Sequence, residues 1–199
     1  NPLVGAVLVY EGKIISEAWH EIYGEAHAEV NAIRDVDDEI LQKSELYVSL
    51  EPCSHYGKTP PCSDLIISKA IPKVYISIKD PNPLVSGEGI RRMTSAGIKV
   101  VSGILEKEGR EVNKRFLSRI EKGRPYIILK WAQSADGFVA GENGRQVSIS
   151  NKIFQNYSHK LRLTEDAIMV GTNTVINDNP KLTNRYGKGK NPLRISMDF

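Results

Sequence analysis

Apolar and polar positions change period repeatedly along the first part of the chain. Short runs rich in apolar and β-branched residues predict strands, and the longer segments between them carry apolar residues at helical spacing. The predicted strands are Ala6–Tyr10, Ile14–Trp19, Leu46–Leu50, Val74–Ile78 and Ile98–Val101. The predicted helices are Ala28–Val36, Cys62–Ala70, Gly87–Ala96 and Glu106–Ile120. Strands that alternate with helices in this way are typical of an α/β fold with a layered sheet.

A break in this pattern predicts a domain boundary. Lys122-Gly123-Arg124-Pro125 contains Gly and Pro, which commonly interrupt helices and strands. An apolar run, predicted as strand Tyr126–Leu129, follows directly. Beyond it we predict helix Asn151–Leu163 and strands Ala167–Val170 and Leu193–Met197. We therefore expect two domains, 1–122 and 123–199. The second is small for a self-sufficient core and stops on an apolar strand, so we expect it to be cut short.

Composition narrows the function classes. The chain of 199 residues has 27 Lys and Arg against 24 Asp and Glu, a net charge of +3, and no basic patch of the kind that nucleic-acid-binding proteins usually carry. No apolar run approaches the roughly 18–20 residues that a membrane span needs. Two cysteines are too few for a disulfide scaffold. These features favour a globular protein that acts on small molecules.

Three short motifs carry the most specific chemistry. They are His27-Ala28-Glu29, Glu51-Pro52-Cys53 and Pro60-Pro61-Cys62. One imidazole and two thiolates suit tetrahedral zinc, and a set of three protein ligands leaves a fourth position open for water. Zinc lowers the pKa of such a water from 15.7 to about 7. Glu29 is not needed as a ligand and could serve as a general acid and base.

Simpler interpretations of these residues remain open from spacing alone. Cys53 and Cys62 could form a disulfide or be two buried thiols, and His27 alone could be an ordinary histidine. The combination of H-x-E with P-C favours zinc, because zinc deaminases pair these two elements. A structural zinc module is a further alternative, although it would have no use for a carboxylate beside the metal that is not a ligand.

Longer motifs add a family resemblance. They are Asn1-Pro2-Leu3-Val4-Gly5, His27-Ala28-Glu29-Val30-Asn31-Ala32, the stretch LEPCSHYGKTPPC from Leu50 to Cys62, Asp80-Pro81-Asn82-Pro83, and Asp178-Asn179-Pro180-Lys181-Leu182-Thr183. In these motifs the chain resembles the bifunctional RibD family of riboflavin biosynthesis, in which a pyrimidine deaminase is fused to a reductase. The general deaminase signature has two residues between its cysteines, whereas this chain has eight, Ser54 to Pro61. That insertion sets the family apart from cytidine, tRNA and nucleic-acid-editing deaminases.

For the first domain, the resemblance implies a three-layer fold like that of cytidine deaminase. Zn²⁺ would be bound by His27, Cys53 and Cys62, and Glu29 would be the catalytic proton shuttle. The implied substrate is 2,5-diamino-6-(5-phosphoribosylamino)pyrimidin-4(3H)-one, which loses its 2-amino group as ammonia. Family positions that line its pocket fall on Asn1, His20, Ala28 (through its backbone), Ser54, His55 and Lys58. Lys58 and His55 suit a ribose phosphate, although Lys58 could also be a solvated loop residue and Asn1 a turn residue.

For the second domain, the resemblance implies the front part of an α/β reductase that resembles dihydrofolate reductase and uses NADPH. By family position, the residues that contact the cofactor are Ala132, Ser148, Thr174 and Asp178, and those that contact the substrate are Lys130, Gln146, Arg162, Leu182 and Arg185. Many family members have Trp where this chain has Ser148 and Ser where it has Gln146. Arg162 and Arg185 suit a phosphate, because guanidinium binds it bidentately, although Arg162 could also lie on a solvated helix face.

The family layout also implies segments outside this sequence. We expect a first helix of about 20 residues before Asn1 and the Gly-rich second half of the cofactor site beyond Phe199, so this stretch alone should bind NADPH weakly. The expected partner is the small phosphoribosyl pyrimidine, with no nucleic acid, no membrane and a possible homo-oligomer. The expected compartment is the cytoplasm, because thiolate ligands need reducing surroundings. A stand-alone nucleoside or nucleic-acid deaminase is the alternative activity.

Overall fold

The structure is a computed structural model that describes residues 1–83 and 86–197. The chain divides into two compact units, Asn1–Ile127 and a second one that starts at Ile128. None of the helices in the described part of the chain combines the length and the apolar character that a bilayer crossing requires.

The first unit is built on a five-stranded mixed sheet. Its strands are β1 (Gly5–Tyr10), β2 (Lys13–Trp19), β3 (Glu45–Leu50), β4 (Lys73–Ile78) and β5 (Lys99–Ser102). They lie in the order β2-β1-β3-β4-β5. β1 pairs antiparallel with β2 and β3, with Ala6 opposite Val48 and Leu8 opposite Leu46, while β3, β4 and β5 run parallel. The predicted α/β fold is confirmed.

Helices cover both faces of this sheet and give it three layers. The helices are α1 (Ala28–Ile33), α2 (Asp38–Leu41), α3 (Cys62–Ser68), α4 (Glu88–Ser95), α5 (Glu106–Val112) and α6 (Lys114–Lys122). The main core joins Leu8, Val48 and Ile76 of the sheet to helical residues such as Ile66 and Met93, all at most 4% exposed. Successive residues of a strand point to opposite faces. Ser77, the neighbour of Ile76, accordingly donates to the Leu105 carbonyl just before α5 on the other face.

The predicted long helix over Glu106–Ile120 is wrong in one respect, because it is two helices. Asn113 breaks it, with φ −96° and ψ 12°. Its side chain is 98% buried and bonds to the backbone of Leu3 rather than facing solvent. The periodicity of Val112, Phe116 and Ile120 continues across the break, which is why the sequence pattern conceals it.

The second unit contains a parallel two-stranded sheet. β6 (Ala167–Val170) pairs with β7 (Leu193–Ser196), and the helices are α7 (Lys152–Thr164) and α8 (Thr172–Asp178). A short 3₁₀ turn spans Glu142–Gly144. The side chain of Asn151 caps α7 by accepting from the Phe154 N–H at 3.0 Å.

One prediction for the region after residue 122 is wrong, and one helix there was not predicted. Residues 126–129 do not form a strand: a strand needs a hydrogen-bonded neighbour, and within the described residues β6 and β7 pair only with each other. This apolar run therefore belongs to neither sheet of the described residues. Helix α8 was not predicted, because its sequence TNTVIND is poor in strong helix formers.

Candidate active site

The three predicted metal ligands come from three different elements of the first unit. His27 is the N-cap of α1 and has an extended backbone, with φ −73° and ψ 165°. Cys62 is the first residue of α3, which Pro61 precedes as N-cap. Cys53 lies in the loop that follows β3. Helix starts therefore place two of the three side chains, and the end of a central strand places the third.

The donor atoms of these side chains converge. The Nδ1 atom of His27 lies 3.2 Å from the sulfur of Cys62 and 3.5 Å from that of Cys53. All three donor atoms lie within 4.8 Å of one another. A tetrahedral zinc with Zn–S bonds of about 2.3 Å and a Zn–N bond of about 2.0 Å would separate nitrogen from sulfur by about 3.5 Å. Both cysteines are free thiols rather than a disulfide, so the residues present fit a zinc ion.

The two thiols differ in acidity although they are neighbours. A hydrogen bond from the Cys62 thiol lowers the pKa of Cys53 to about 4, and His27 and the Cys62 backbone N–H, 3.3 Å from the Cys53 sulfur, act in the same direction. That hydrogen bond, together with burial, raises the pKa of Cys62. A hydrogen bond to Cys53 also raises the pKa of the His27 ring. The site thus favours a thiolate at Cys53 even before a metal binds.

Glu29 lies beside this cluster and is almost inaccessible to solvent. It is the second residue of α1, and 3% of its surface is exposed. Burial raises the pKa of its carboxyl group. Since His27 precedes the helix and Glu29 lies in its first turn, both side chains reach one cavity despite their i, i+2 spacing. A buried carboxylate next to three metal-type donors is an arrangement suited to proton transfer.

A cavity of about 510 Å³ opens over this cluster. Of the residues expected to bind the substrate, Asn1, His20, His55 and Lys58 line it. Ala28 and Ser54 do not line it and are buried, 0% and 4% exposed. The ring of His20 packs edge-on against that of His27, with 5.4 Å between ring centres, so one expected substrate residue touches one expected ligand.

Several lining residues were not predicted. They are Pro2, Val4, Tyr23, Gly24, Leu50, Glu51, Gly57, Thr59, Asp80, Asn82, Phe116 and Ile120. Asp80 and Asn82 belong to a motif that was recognised without a role. Phe116 and Ile120 have the spacing of an ordinary helical core face, and nothing in the sequence distinguishes them from one. The half-buried Asp80 carboxyl has its pKa raised, mainly by burial.

Lys58 is held at a defined place on the cavity wall. Its ammonium nitrogen lies 4.1 Å from the centre of the Tyr23 ring, a cation–π contact. Gly24 lies directly beneath it with φ +90°, and a Cβ there would be 3.0 Å from Cδ of Lys58. The turn at residues 23 and 24 therefore packs against the lysine side chain and holds it in place.

Glu51 is a second buried carboxylate, and its hydrogen bonds connect the Cys53 loop to the start of α4. Its Oε2 atom accepts the N–H groups of Asp80 at 3.2 Å and Gly87 at 3.0 Å, and its Oε1 atom accepts that of Ile90 at 3.2 Å. The contact is close: a Cβ on Gly89 would lie 2.2 Å from the Pro52 carbonyl oxygen. The first turn of α4 thus packs directly on the backbone next to Cys53.

The second unit has its own cavity, of about 800 Å³. Five of the predicted reductase residues line it, namely Gln146, Arg162, Asp178, Leu182 and Arg185. Lys130, Ala132, Ser148 and Thr174 are not among the lining residues. Four of the five residues that converge are ones expected to contact substrate, and only Asp178 belongs to the expected cofactor set.

Positive charge collects in this second cavity. Arg162 approaches the His159 ring, with 3.4 Å between Nη1 and Nδ1, and its Nη1 donates to the Thr183 carbonyl at 3.4 Å. Burial and the nearby Arg185 lower the pKa of Arg162. The pKa of His159 is lowered by burial, by Arg162 and by Arg185. His159 was not predicted; its position one helical turn before Arg162 was the available signal.

Comparison with known proteins finds a separate family match in each part of the chain. Residues 1–78 match the cytidine and deoxycytidylate deaminase zinc-binding region, and residues 125–198 match the RibD C-terminal domain. The riboflavin biosynthesis protein RibD of Aquifex aeolicus is 46% identical over 199 residues, which is 100% of this chain and 56% of that protein. RibD of Bacillus amyloliquefaciens is 45% identical, over 100% of this chain and 53% of that protein.

The chain belongs to the RibD family. A solved RibD structure, the deaminase/reductase of Thermotoga maritima, superposes with a TM-score of 0.90 and 42% identity over 100% of this chain and 57% of that one. RibD of Acinetobacter baumannii gives a TM-score of 0.89 at 36% identity over 98% of this chain and 56% of that one. The chain therefore spans about half the length of the RibD proteins that it matches, and the match runs through both units.

Proposed function

We propose that the first unit is the deaminase of riboflavin biosynthesis. It would hydrolyse 2,5-diamino-6-(5-phosphoribosylamino)pyrimidin-4(3H)-one at the 2-position and release ammonia. The observation that carries this proposal is the convergence of His27 Nδ1 with both cysteine sulfurs beside the buried Glu29, at a cavity that His27, Cys53 and Glu29 line. The Thermotoga maritima relative is described as a deaminase for the corresponding diaminohydroxyphosphoribosylaminopyrimidine.

The side chains around the cavity divide the work of this reaction. His27, Cys53 and Cys62 would hold the zinc ion, which supplies an activated water because it lowers the pKa of water to about 7. Glu29 would take a proton from that water and give it to the departing amino group. The exocyclic C–N bond would break, a C=O bond would replace it, the second proton of the water would end on the ring nitrogen, and ammonia would leave.

Binding of the substrate falls to the outer part of the cavity. Lys58 and His55 would bind the ribose phosphate through charge-assisted hydrogen bonds. Asn1 can donate and accept together, which suits the edge of a pyrimidine. Ala28 and Ser54, which are buried and do not line the cavity, would contribute through the backbone or by supporting their neighbours.

For the second unit, we propose the front part of an NADPH-dependent reductase that acts on the deaminated product in the full-length protein. Gln146, Arg162, Leu182 and Arg185 would contact that substrate, with the two arginines on its phosphate. Lys130 would join them, and Ala132, Ser148, Thr174 and Asp178 would contact NADPH. The domain limits that go with this proposal are 1–122 for the deaminase and 123–199 for the front of the reductase.

The proposed binding partner and compartment follow from the same chemistry. The partner would be the small phosphoribosyl pyrimidine rather than a nucleic acid or a membrane, and the full-length protein could be a homo-oligomer. Cysteine ligands require reducing conditions, which favours the cytoplasm.

Metal analysis combined with an ammonia-release assay tests the deaminase proposal. The full-length protein is expected to contain one zinc per chain and to release ammonia from the phosphoribosyl diaminopyrimidine in preference to cytidine. Preference for cytidine would favour the alternative of a nucleoside deaminase. Stoichiometric zinc without ammonia release from either compound would indicate a structural zinc module.

A further inference from the structure

Asn113 forms hydrogen bonds with both backbone groups of Leu3, which lies 110 residues earlier in the chain. Its Oδ1 atom accepts the Leu3 N–H at 2.8 Å, and its Nδ2 atom donates to the Leu3 carbonyl at 3.1 Å. The side chain is 2% exposed and lies at the break between α5 and α6. A primary amide is the side-chain group that can satisfy both polar groups of one residue in this way, since it carries a donor and an acceptor side by side.

The segment that Asn113 holds forms part of the cavity wall. Asn1, Pro2 and Val4 line the cavity over the zinc ligands, on either side of the anchored Leu3. Other bonds complete the anchorage: the Ser49 hydroxyl lies 3.0 Å from the Gly5 N–H, and the His20 N–H donates to the Val4 carbonyl at 3.0 Å. The anchored segment therefore lies against His20, another residue of the cavity wall.

The helix that starts after Asn113 supplies a second part of the same wall. Phe116 and Ile120 of α6 line the cavity and follow Asn113 by three and seven residues, on one side of the helix. The side chain of Asn113 thus binds the wall segment at residues 1–4. Its backbone continues directly into α6, which carries the wall residues Phe116 and Ile120. Asn113 contacts neither Glu29 nor a metal ligand in any of its hydrogen bonds.

We propose that Asn113 is a positioning residue for substrate binding, which sets residues 1–4 against α6 and so fixes the width of the pyrimidine cavity. The inference rests on the proposed deaminase function for the identity of the substrate. Loss of the Asn113 contacts would let the segment at Asn1 move away from α6. The zinc ligands and Glu29, held by other elements, would stay in place, so binding would weaken while the metal site remained intact.

Replacement of Asn113 in the full-length protein tests this inference. Substrate affinity is measured by calorimetry with the phosphoribosyl diaminopyrimidine in a Glu29→Gln background, where turnover cannot interfere. We expect Asn113→Ala to raise Kd about tenfold, because binding must then reorder residues 1–4, which the two Asn113 hydrogen bonds hold in place in the parent protein. Asn113→Asp, which keeps the acceptor for the Leu3 N–H but sets an oxygen against the Leu3 carbonyl, should also raise Kd. Zinc content should not change in either variant.

Ser118→Ala is the matched control. Ser118 is equally buried on α6, 5% exposed, but its hydroxyl donates to the Arg124 carbonyl, away from residues 1–4. It should lower the melting temperature as Asn113→Ala does and leave Kd unchanged. Hydrogen exchange at the Leu3 amide provides a readout that needs no substrate: it should speed up in Asn113→Ala and remain slow in Ser118→Ala.

The outcomes separate this inference from the proposed function. An unchanged Kd in both Asn113 variants, or an equal rise in Ser118→Ala, would overturn the positioning role. If the parent protein binds the pyrimidine but releases no ammonia with Glu29 present, the deaminase proposal fails while a Kd shift in Asn113→Ala still supports the positioning role. A parent that binds no pyrimidine overturns both.

Discussion

The backbone N–H of Cys62 donates to the sulfur of Cys53 at 3.3 Å, so the start of helix α3 holds both thiols of the proposed zinc site. The helix contributes one sulfur as its first side chain and steadies the other through its first backbone amide. The second sulfur is thereby placed without a covalent link between the two cysteines.

We expect Cys53→Ser to lose the metal while the fold persists. A serine oxygen can still accept the Cys62 N–H, but it is a much poorer zinc ligand than a thiolate. Zinc affinity should fall by more than about 100-fold, beyond the 10- to 100-fold effect of changes around a metal site. Competition with a chromogenic chelator measures the affinity, and circular dichroism monitors the fold. Stoichiometric zinc of unchanged affinity in Cys53→Ser would contradict the assignment of this ligand.

Glu29→Gln should separate metal binding from chemistry. The substitution keeps the size and burial of the side chain but removes its ability to carry a proton, so zinc should remain and ammonia release should fall by about 10²- to 10⁴-fold. The control is Glu25→Gln, an exposed residue just before the site, which should leave the rate unchanged. Turnover that survives in Glu29→Gln would show that another group carries the proton.

Glu51 should matter for both stability and zinc retention. Glu51→Ala leaves the backbone N–H groups of Gly87 and Ile90 without their buried acceptor, at a cost of about 1–3 kcal/mol. It also frees the loop next to Cys53, and zinc affinity should drop by about 10- to 100-fold. Urea unfolding and chelator competition measure the two effects. Glu45→Gln, which breaks the partly exposed pair with Lys73, is the control and should cost at most about 1 kcal/mol.

The contact between Lys58 and the Tyr23 ring leads to a prediction about phosphate recognition. Tyr23→Leu removes the cation–π contact, worth about 0.5–1 kcal/mol at an exposed site, and should raise KM for the phosphorylated substrate about two- to fivefold. The dephosphorylated substrate should show little change. Tyr56→Leu, on the highly exposed ring of the neighbouring loop, is the control. An equal effect of Tyr23→Leu on both substrates would mean that the ring acts on the cavity and not through Lys58.

In the full-length protein, Arg162→Ala and Arg185→Ala should impair the reductase through substrate affinity. Both guanidinium groups line the same cavity as Gln146 and Leu182, and each should contribute to binding of a phosphate. The KM for the ribosylaminouracil phosphate, measured from NADPH oxidation, should rise by about tenfold or more for each variant. Lys160→Ala, on the exposed side of α7, should behave like the wild type. Unchanged kinetics in both arginine variants would make them surface charges.

Hydrophobic periodicity and turn residues were sufficient to predict the helix starts and strands that depend on nearby sequence. Helices that start at Ala28 and Cys62 follow from the polar turn before His27 and from Pro60-Pro61, and the structure has both. The short strands Leu46–Leu50 and Val74–Ile78 also lie within one residue of their predicted limits. The cluster of His27, Cys53 and Cys62 was predicted on other grounds, namely the pairing of H-x-E with P-C and the family resemblance.

Features set by distant contacts could not be predicted in the same way. The break at Asn113 depends on Leu3, 110 residues earlier, and nothing in the helical periodicity near it reveals that partner. Residues 126–129 look like a strand because strand propensity is local, whereas a pairing partner is not. Phe116 and Ile120 join the cavity only because α6 folds back onto the segment at Asn1, so their role has no signature in spacing.

The residues from Ser54 to Thr59 lie between Cys53 and Pro60-Pro61, which sets the start of α3 at Cys62. Cys53 is held by the end of β3 and the Glu51 contacts, and Cys62 by the first turn of α3. The composition of the exposed part of this loop, residues 55–58, can therefore change while Pro60-Pro61 and the start of α3 keep the Cys62 sulfur in place. Because this stretch carries His55 and Lys58, the residues proposed to bind the ribose phosphate, grafting it between related hydrolases offers a direct route to altered selectivity for that group.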